Sequence, residues 1–166
     1  SPTISKADGK AEGQGAAMAK ISFYHLQSQS LDRALPRLLE KALAAGHRVL
    51  VLARDPALVD AMDQALWCYE EASFLPHGRA GAAHEQAQPV LLASHLTDAN
   101  QADILVVLQD CLPDDLSRWQ RCLYLFDGHD DSAVTTARAR WRRLKDIGGE
   151  TSYFQQNPGG GWEKKA

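Results

Sequence analysis

The densest run of chemically capable side chains in this 166-residue chain is FDGHDD, at 126–131. Asp127, His129, Asp130 and Asp131 could hold a divalent metal or supply an acid–base pair. The same letters also make an Asp-Gly turn followed by an Asp-Asp-Ser helix cap, and this simpler reading accounts for all of them. The other histidines lack ligand spacing: His77 and His84 fall in one polar loop, and no H-x-x-x-H lies on a helix. Cys68, Cys111 and Cys122 are odd in number and show no C-x-x-C, so they read as reduced, mostly buried thiols. There is no G-x-S-x-G elbow, no G-x-x-x-x-G-K-[ST] and no G-x-G-x-x-G. The turn after the first apolar run, HLQSQS, has no glycine to bring the backbone against a phosphate. The one glycine cluster, Gly159 to Gly161, opens no helix. The expectation is no catalytic residue, no metal and no cofactor.

Two other groupings suit recognition. Arg138, Arg142 and Lys145 stand at i, i+4 and i+7 of a helical segment, with Trp141 on the seam between this basic stripe and Ala133, Ala137 and Leu144. Arginine forks and a bordering aromatic suit a ligand with acidic groups and an apolar anchor. The same set could contact a nucleic-acid backbone and stack a base, or be a solvated face. In the helical segment 56–67 that runs into QALWCYEEASFLPHG (64–78), Leu58, Val59, Met62, Ala65 and Leu66 form the core side. Trp67 falls instead among Asp60, Asp63 and Gln64. With Phe74-Leu75-Pro76 seven residues on, this is either a protein-binding patch or a small cluster in which Phe74 covers Trp67.

The elements that must position these residues alternate in period. Short apolar runs at 21–26, 47–54, 89–94, 103–108, 122–126 and 151–156 read as strands, most of them covered on both faces. Helical spacing runs over 31–46, ending at Gly46 with Pro36 disturbing its first turn. It recurs over 56–67, opened by Asp55-Pro56, and over 130–148, capped by Asp130 or Asp131 and closed by Gly148. Residues 77–88 and the tail from 157 read as loop. Strands alternating with helices predict a three-layer Rossmann-like α/β sandwich with a mostly parallel sheet.

Residues 1–17 are small, polar and without period, and read as a disordered leader ahead of one domain spanning 18–166. Hydrophobic residues make up 45% of the chain and charged ones 23%, which is ordinary for a globular domain. A net charge of −3 argues against binding nucleic acid by bulk electrostatics. No apolar run approaches the roughly 20 residues of a membrane span. No signal-peptide pattern follows Met18, so the expected location is the cytoplasm.

The order of FYHL (23–26), AGHRVLVLARD (45–55), ALWCYEEASFLPHG (65–78) and ARARWRRLK (137–145) resembles the chi subunit of bacterial DNA polymerase III. The resemblance implies a non-catalytic adaptor of the replisome. One surface would bind the psi subunit and through it the clamp loader; the other would bind the acidic C-terminal tail of single-stranded DNA-binding protein, so that DNA is contacted mainly indirectly. In the family a tryptophan and a phenylalanine seven apart face psi, and Trp67 and Phe74 match them, with Leu75 and Pro76 beside. An XPD-like DNA helicase is the alternative partner for the same surface. On the tail side, Arg138, Trp141 and Arg142 match the family's arginine, aromatic and basic residue. Val134 replaces a family lysine, Lys145 could compensate from the next turn, and Phe126 is assigned to the apolar wall. A nucleotide-dependent enzyme, favoured by fold analogy alone, is opposed by the missing phosphate loop.

Overall fold

A computed structural model describes residues 20–69 and 75–166. The expected leader over 1–17 and Phe74 lie outside the described residues. In chain order the elements are β1 (Lys20–Leu26), α1 (Leu31–Ala44), β2 (Val49–Leu52), α2 (Pro56–Trp67), β3 (His77–Arg79), β4 (Val90–Ala93), β5 (Ile104–Val107), β6 (Arg121–Asp127), α3 (Asp131–Asp146), β7 (Thr151–Gln156) and β8 (Trp162–Lys164).

Eight strands form one sheet in the order β3-β4-β2-β5-β6-β1-β7-β8. All neighbouring pairs are parallel except β7 with β8. Successive strand residues point to opposite faces, so each central run feeds two cores. On one face Val49, Val51, Val90, Leu92, Val106, Leu123 and Leu125 meet Leu35, Leu38 and Leu39 of α1 and Val59, Met62 and Leu66 of α2. On the other face Phe23, Leu50, Leu105, Cys122, Tyr124 and Phe126 meet Ala137 and Leu144 of α3, with Leu116 and Trp119 from the β5–β6 connection. The Rossmann-like α/β sandwich expected from the alternating periods is the fold observed.

Three details depart from expectation. Residues 77–79 are a strand instead of loop, pairing with β4 at the sheet edge. The tail also makes a strand, β8, antiparallel to β7. Neither HGR nor WEK carries an apolar pattern, and the neighbour's unpaired backbone groups decide the conformation. Finally, α1 is continuous from Leu31 with Pro36 buried inside it, so no irregular first turn appears. Proline forfeits one bond there, the one its N–H would have made to the Asp32 carbonyl.

Candidate functional site

In open α/β sheets the usual ligand site lies beyond the carboxyl ends of the strands, where successive connections diverge. Here that place is between β1, whose connection leads through α1 to β2, and β6, whose connection leads through α3 to β7. A cavity of about 740 Å³ lies there, bordered by the 27–30 turn, Leu108 to Asp110, and Phe126 to Asp130. The β1–α1 turn, which holds phosphate in nucleotide-binding doubly wound folds, is already occupied from within. The buried Gln156 side chain places Oε1 to accept from the backbone N–H groups of Gln27, Ser28 and Gln29 at 3.2, 3.1 and 3.0 Å. Its amide nitrogen donates to Gln29 Oε1 at 3.2 Å. Three converging donors are what an anion would use, and the protein's own amide uses them.

The acidic run at 127–131 is also spent on structure. Asp130 Oδ1 caps α3 by accepting from Ser132 and Ala133 at 3.0 and 3.2 Å. Asp127 accepts from the His129 backbone at 2.9 Å, and His129 Nε2 donates to the Gln27 carbonyl at 2.6 Å. No group of three metal-competent side chains occurs among the described residues, and no described helix is long and apolar enough to cross a membrane.

The basic helix makes a built surface. Ala137 and Leu144 bury one side of α3 against the sheet, which turns Arg138 and Arg142 outward and leaves Trp141 half-buried between. Arg138, Trp141, Arg142, Tyr153 and Ala166 enclose a pocket of about 280 Å³. Trp141 meets Tyr153 edge-to-face with centroids 6.2 Å apart, and Lys145 Nζ lies 4.9 Å above the Trp141 ring. A salt-bridged arginine pins the helix: Arg140 Nε and Nη2 donate to the two Asp110 oxygens at 2.6 and 3.0 Å, and Tyr124 donates to Oδ1 at 2.6 Å. Burial alone would raise the Asp110 carboxyl; the hydrogen bonds from Arg140 and Tyr124 outweigh it and hold the group below the usual range.

Under the pocket, Tyr153 Oη lies 2.9 Å from Nδ1 of His25, a residue only 4% exposed. Burial first, and the nearby Arg138 charge second, lower the His25 pKa. The sequence placed Phe126 in the pocket wall; its ring is buried (6% exposed) below Tyr153, 6.0 Å away, and faces the larger cavity instead. Tyr153 forms the wall. Sequence reasoning missed it because which strand lies beneath α3 depends on strand order. Val134 is half-buried against the core and contributes no charge.

On the opposite layer, Trp67 is 58% exposed at the end of α2, its ring 4.8 Å from that of His77. His77 Nδ1 donates to the Leu75 carbonyl at 2.7 Å, and Nε2 lies 3.1 Å from Asp63 Oδ1. Arg79 of β3 pairs with Asp60. The polar stripe of α2 therefore faces the edge strand. Leu75, assigned to the surface by sequence, is a core residue (4% exposed) because the chain turns inward there to enter β3. Pro76 is half-buried.

The sequence model of the family described as "DNA polymerase III chi subunit, HolC" matches residues 18–152. The DNA polymerase III subunit chi of Escherichia coli K12 is 29% identical over 139 residues, covering 79% of this chain and 94% of that one. The Haemophilus influenzae subunit chi is 25% identical over 134 residues, covering 77% and 92%. The probable subunit chi of Rickettsia prowazekii is 27% identical over 101 residues, covering 61% of this chain and 59% of that one.

Proposed function

The chain belongs to the DNA polymerase III chi subunit family, and from that premise we propose that it is a two-sided replisome adaptor. The family is a non-catalytic accessory of the polymerase, and the occupied β1–α1 turn suits that role. The α3 pocket takes the acidic C-terminal tail of single-stranded DNA-binding protein; the Trp67 surface takes psi and hence the clamp loader.

The observation that carries this reading is the pocket, where the outward Arg138 and Arg142 flank an apolar slot lined by Trp141 and Tyr153, with Lys145 over the Trp141 ring. Acidic tail residues pair with Arg138, Arg142 and Lys145 while the terminal phenylalanine enters the slot. Exposed ion pairs contribute only about 0–1 kcal/mol each, so the ring supplies much of the binding, roughly 2 kcal/mol. Affinity is therefore modest and falls with salt, and repeated tails on a DNA-bound array raise it by avidity.

The test is fluorescence anisotropy with a labelled peptide of the tail. Binding should weaken at least about tenfold for a peptide lacking the terminal phenylalanine, and several-fold for Arg142→Ala, with the fold unchanged by circular dichroism. Equal binding by wild type and Arg142→Ala would remove the tail from this site. For the second surface, Trp67→Ala should abolish co-elution with psi in size-exclusion chromatography; retained co-elution would move psi elsewhere.

A further inference from the structure

The two helical layers leave part of the sheet bare. α1 and α2 lie over β2, β3 and β4 on one face, and α3 lies over β1, β6 and β7 on the other. On the α1 side, no described helix makes an extensive contact with β7 or β8, and Tyr24 of β1 packs, partly buried, against the edge of the core that α1 helps to form. The alternation of side chains places a defined set of residues on this bare area. Tyr24 is directly opposite Phe154, and Lys20 opposite Arg121, in the parallel registers of β1. Lys164 is opposite Phe154, and Trp162 opposite Gln156, in the antiparallel pair.

The result is a row of three aromatic rings across three adjacent strands. Tyr24 stacks on Phe154 with centroids 5.2 Å apart and planes 14° from parallel, and Trp162 meets Tyr24 edge-on at 5.0 Å. All three are half-buried, so part of the row is open to solvent. The row is bordered by exposed cations, Lys20, Arg121 and Lys164. Burial raises the Tyr24 hydroxyl above its ordinary pKa, and the Arg121 charge and Ser22 partly counter this. Lys20 has an exposed partner in Glu150 at 3.6 Å, whereas Arg121 and Lys164 make no ion pair among the described residues.

We propose that this bare sheet face, with Tyr24, Phe154 and Trp162 framed by Lys20, Arg121 and Lys164, binds single-stranded nucleic acid directly. Every base has a π-face, so an aromatic row accepts any sequence, while flanking cations follow the phosphates. Cations around the rings select a polyanion, and rings in a row favour bases over carboxylates. The overall charge of −3 keeps the contact weak and local. The site is separate from α3 and independent of the tail-binding reading.

The experiment is anisotropy of a labelled 15-mer of deoxythymidylate with the full chain at about 20 mM salt, where phosphate contacts are strongest. Wild type should bind, and binding should fade as salt rises. Trp162→Ala should weaken binding at least about fivefold, the low end for loss of one base stack. Arg121→Glu and Lys164→Glu, both at exposed positions that leave the core intact, should weaken it further. Arg142→Ala, on the other face, should bind the oligonucleotide like wild type while losing affinity for the tail peptide. No binding at low salt, binding indifferent to all three sheet variants, or binding lost in Arg142→Ala would each overturn the proposal. So would a poly-glutamate peptide competing as well as the oligonucleotide, which would mark the face as a protein contact.

Discussion

A Cβ placed on Gly128 would meet the His25 ring at 2.2 and 2.3 Å and the Leu26 carbonyl oxygen at 2.4 Å. The Gly128 N–H donates to that same carbonyl at 2.7 Å, so the chain cannot back away without losing the bond. Gly128→Ala should cost about 1–3 kcal/mol, typical of overpacking, and thermal unfolding would register it as a fall of several degrees. His25 itself makes stability depend on pH. Its folded pKa lies below the ordinary histidine value, so the unfolded chain takes up a proton first as pH falls. The contribution is complete above the unfolded pKa of about 6.5 and is lost progressively as pH drops towards the folded value. Chemical denaturation at pH 7.5 and pH 5.5 should show lower stability at the acid end, and His25→Gln should flatten that difference. A slope unchanged by the substitution would assign it to other groups.

Among the elements, Gln156 has an outsized role because one amide oxygen satisfies three backbone donors of the β1–α1 turn. Gln156→Ala leaves those donors without their acceptor and should destabilise the domain by about 1–3 kcal/mol, measured by urea titration. No sequence pattern announces this, since the partners are more than a hundred residues apart. What the sequence does announce follows from burial. VLVL, VLLA and ILVV are apolar on both sides because both faces of each strand are covered, and α3 shows its outward Arg138 and Arg142 because Ala137 and Leu144 hold the inward side. β3 and β8 were invisible because their strand character comes from a neighbour. The same limit explains the two misplaced site residues. Periodicity places Phe126 at a strand end and Leu75 beyond a helix end, but neither says which side of the sheet a ring enters or where the chain turns inward.

At the scale of the molecule, the sheet separates two surfaces with separate cores: Trp67 rests on the layer of α1 and α2, and the pocket beside Trp141 on the layer of α3. Substitutions with no shared partners act independently. Trp67→Ala should therefore leave tail-peptide affinity within about twofold of wild type by isothermal titration calorimetry, and a larger change would reveal coupling through the sheet. The strand order has a further consequence, for synthesis. β1 is the first of the described strands to be synthesised, yet both its neighbours, β6 and β7, come about a hundred residues or more later. At about 5–20 residues per second, Ile21 and Phe23 wait roughly 5–20 s with their hydrophobic faces unmatched. Only when the last third of the chain emerges can the centre of the sheet close. The nascent chain thus keeps this apolar surface uncovered through most of its synthesis, and a ribosome stalled before β6 leaves β1 without either of its sheet partners.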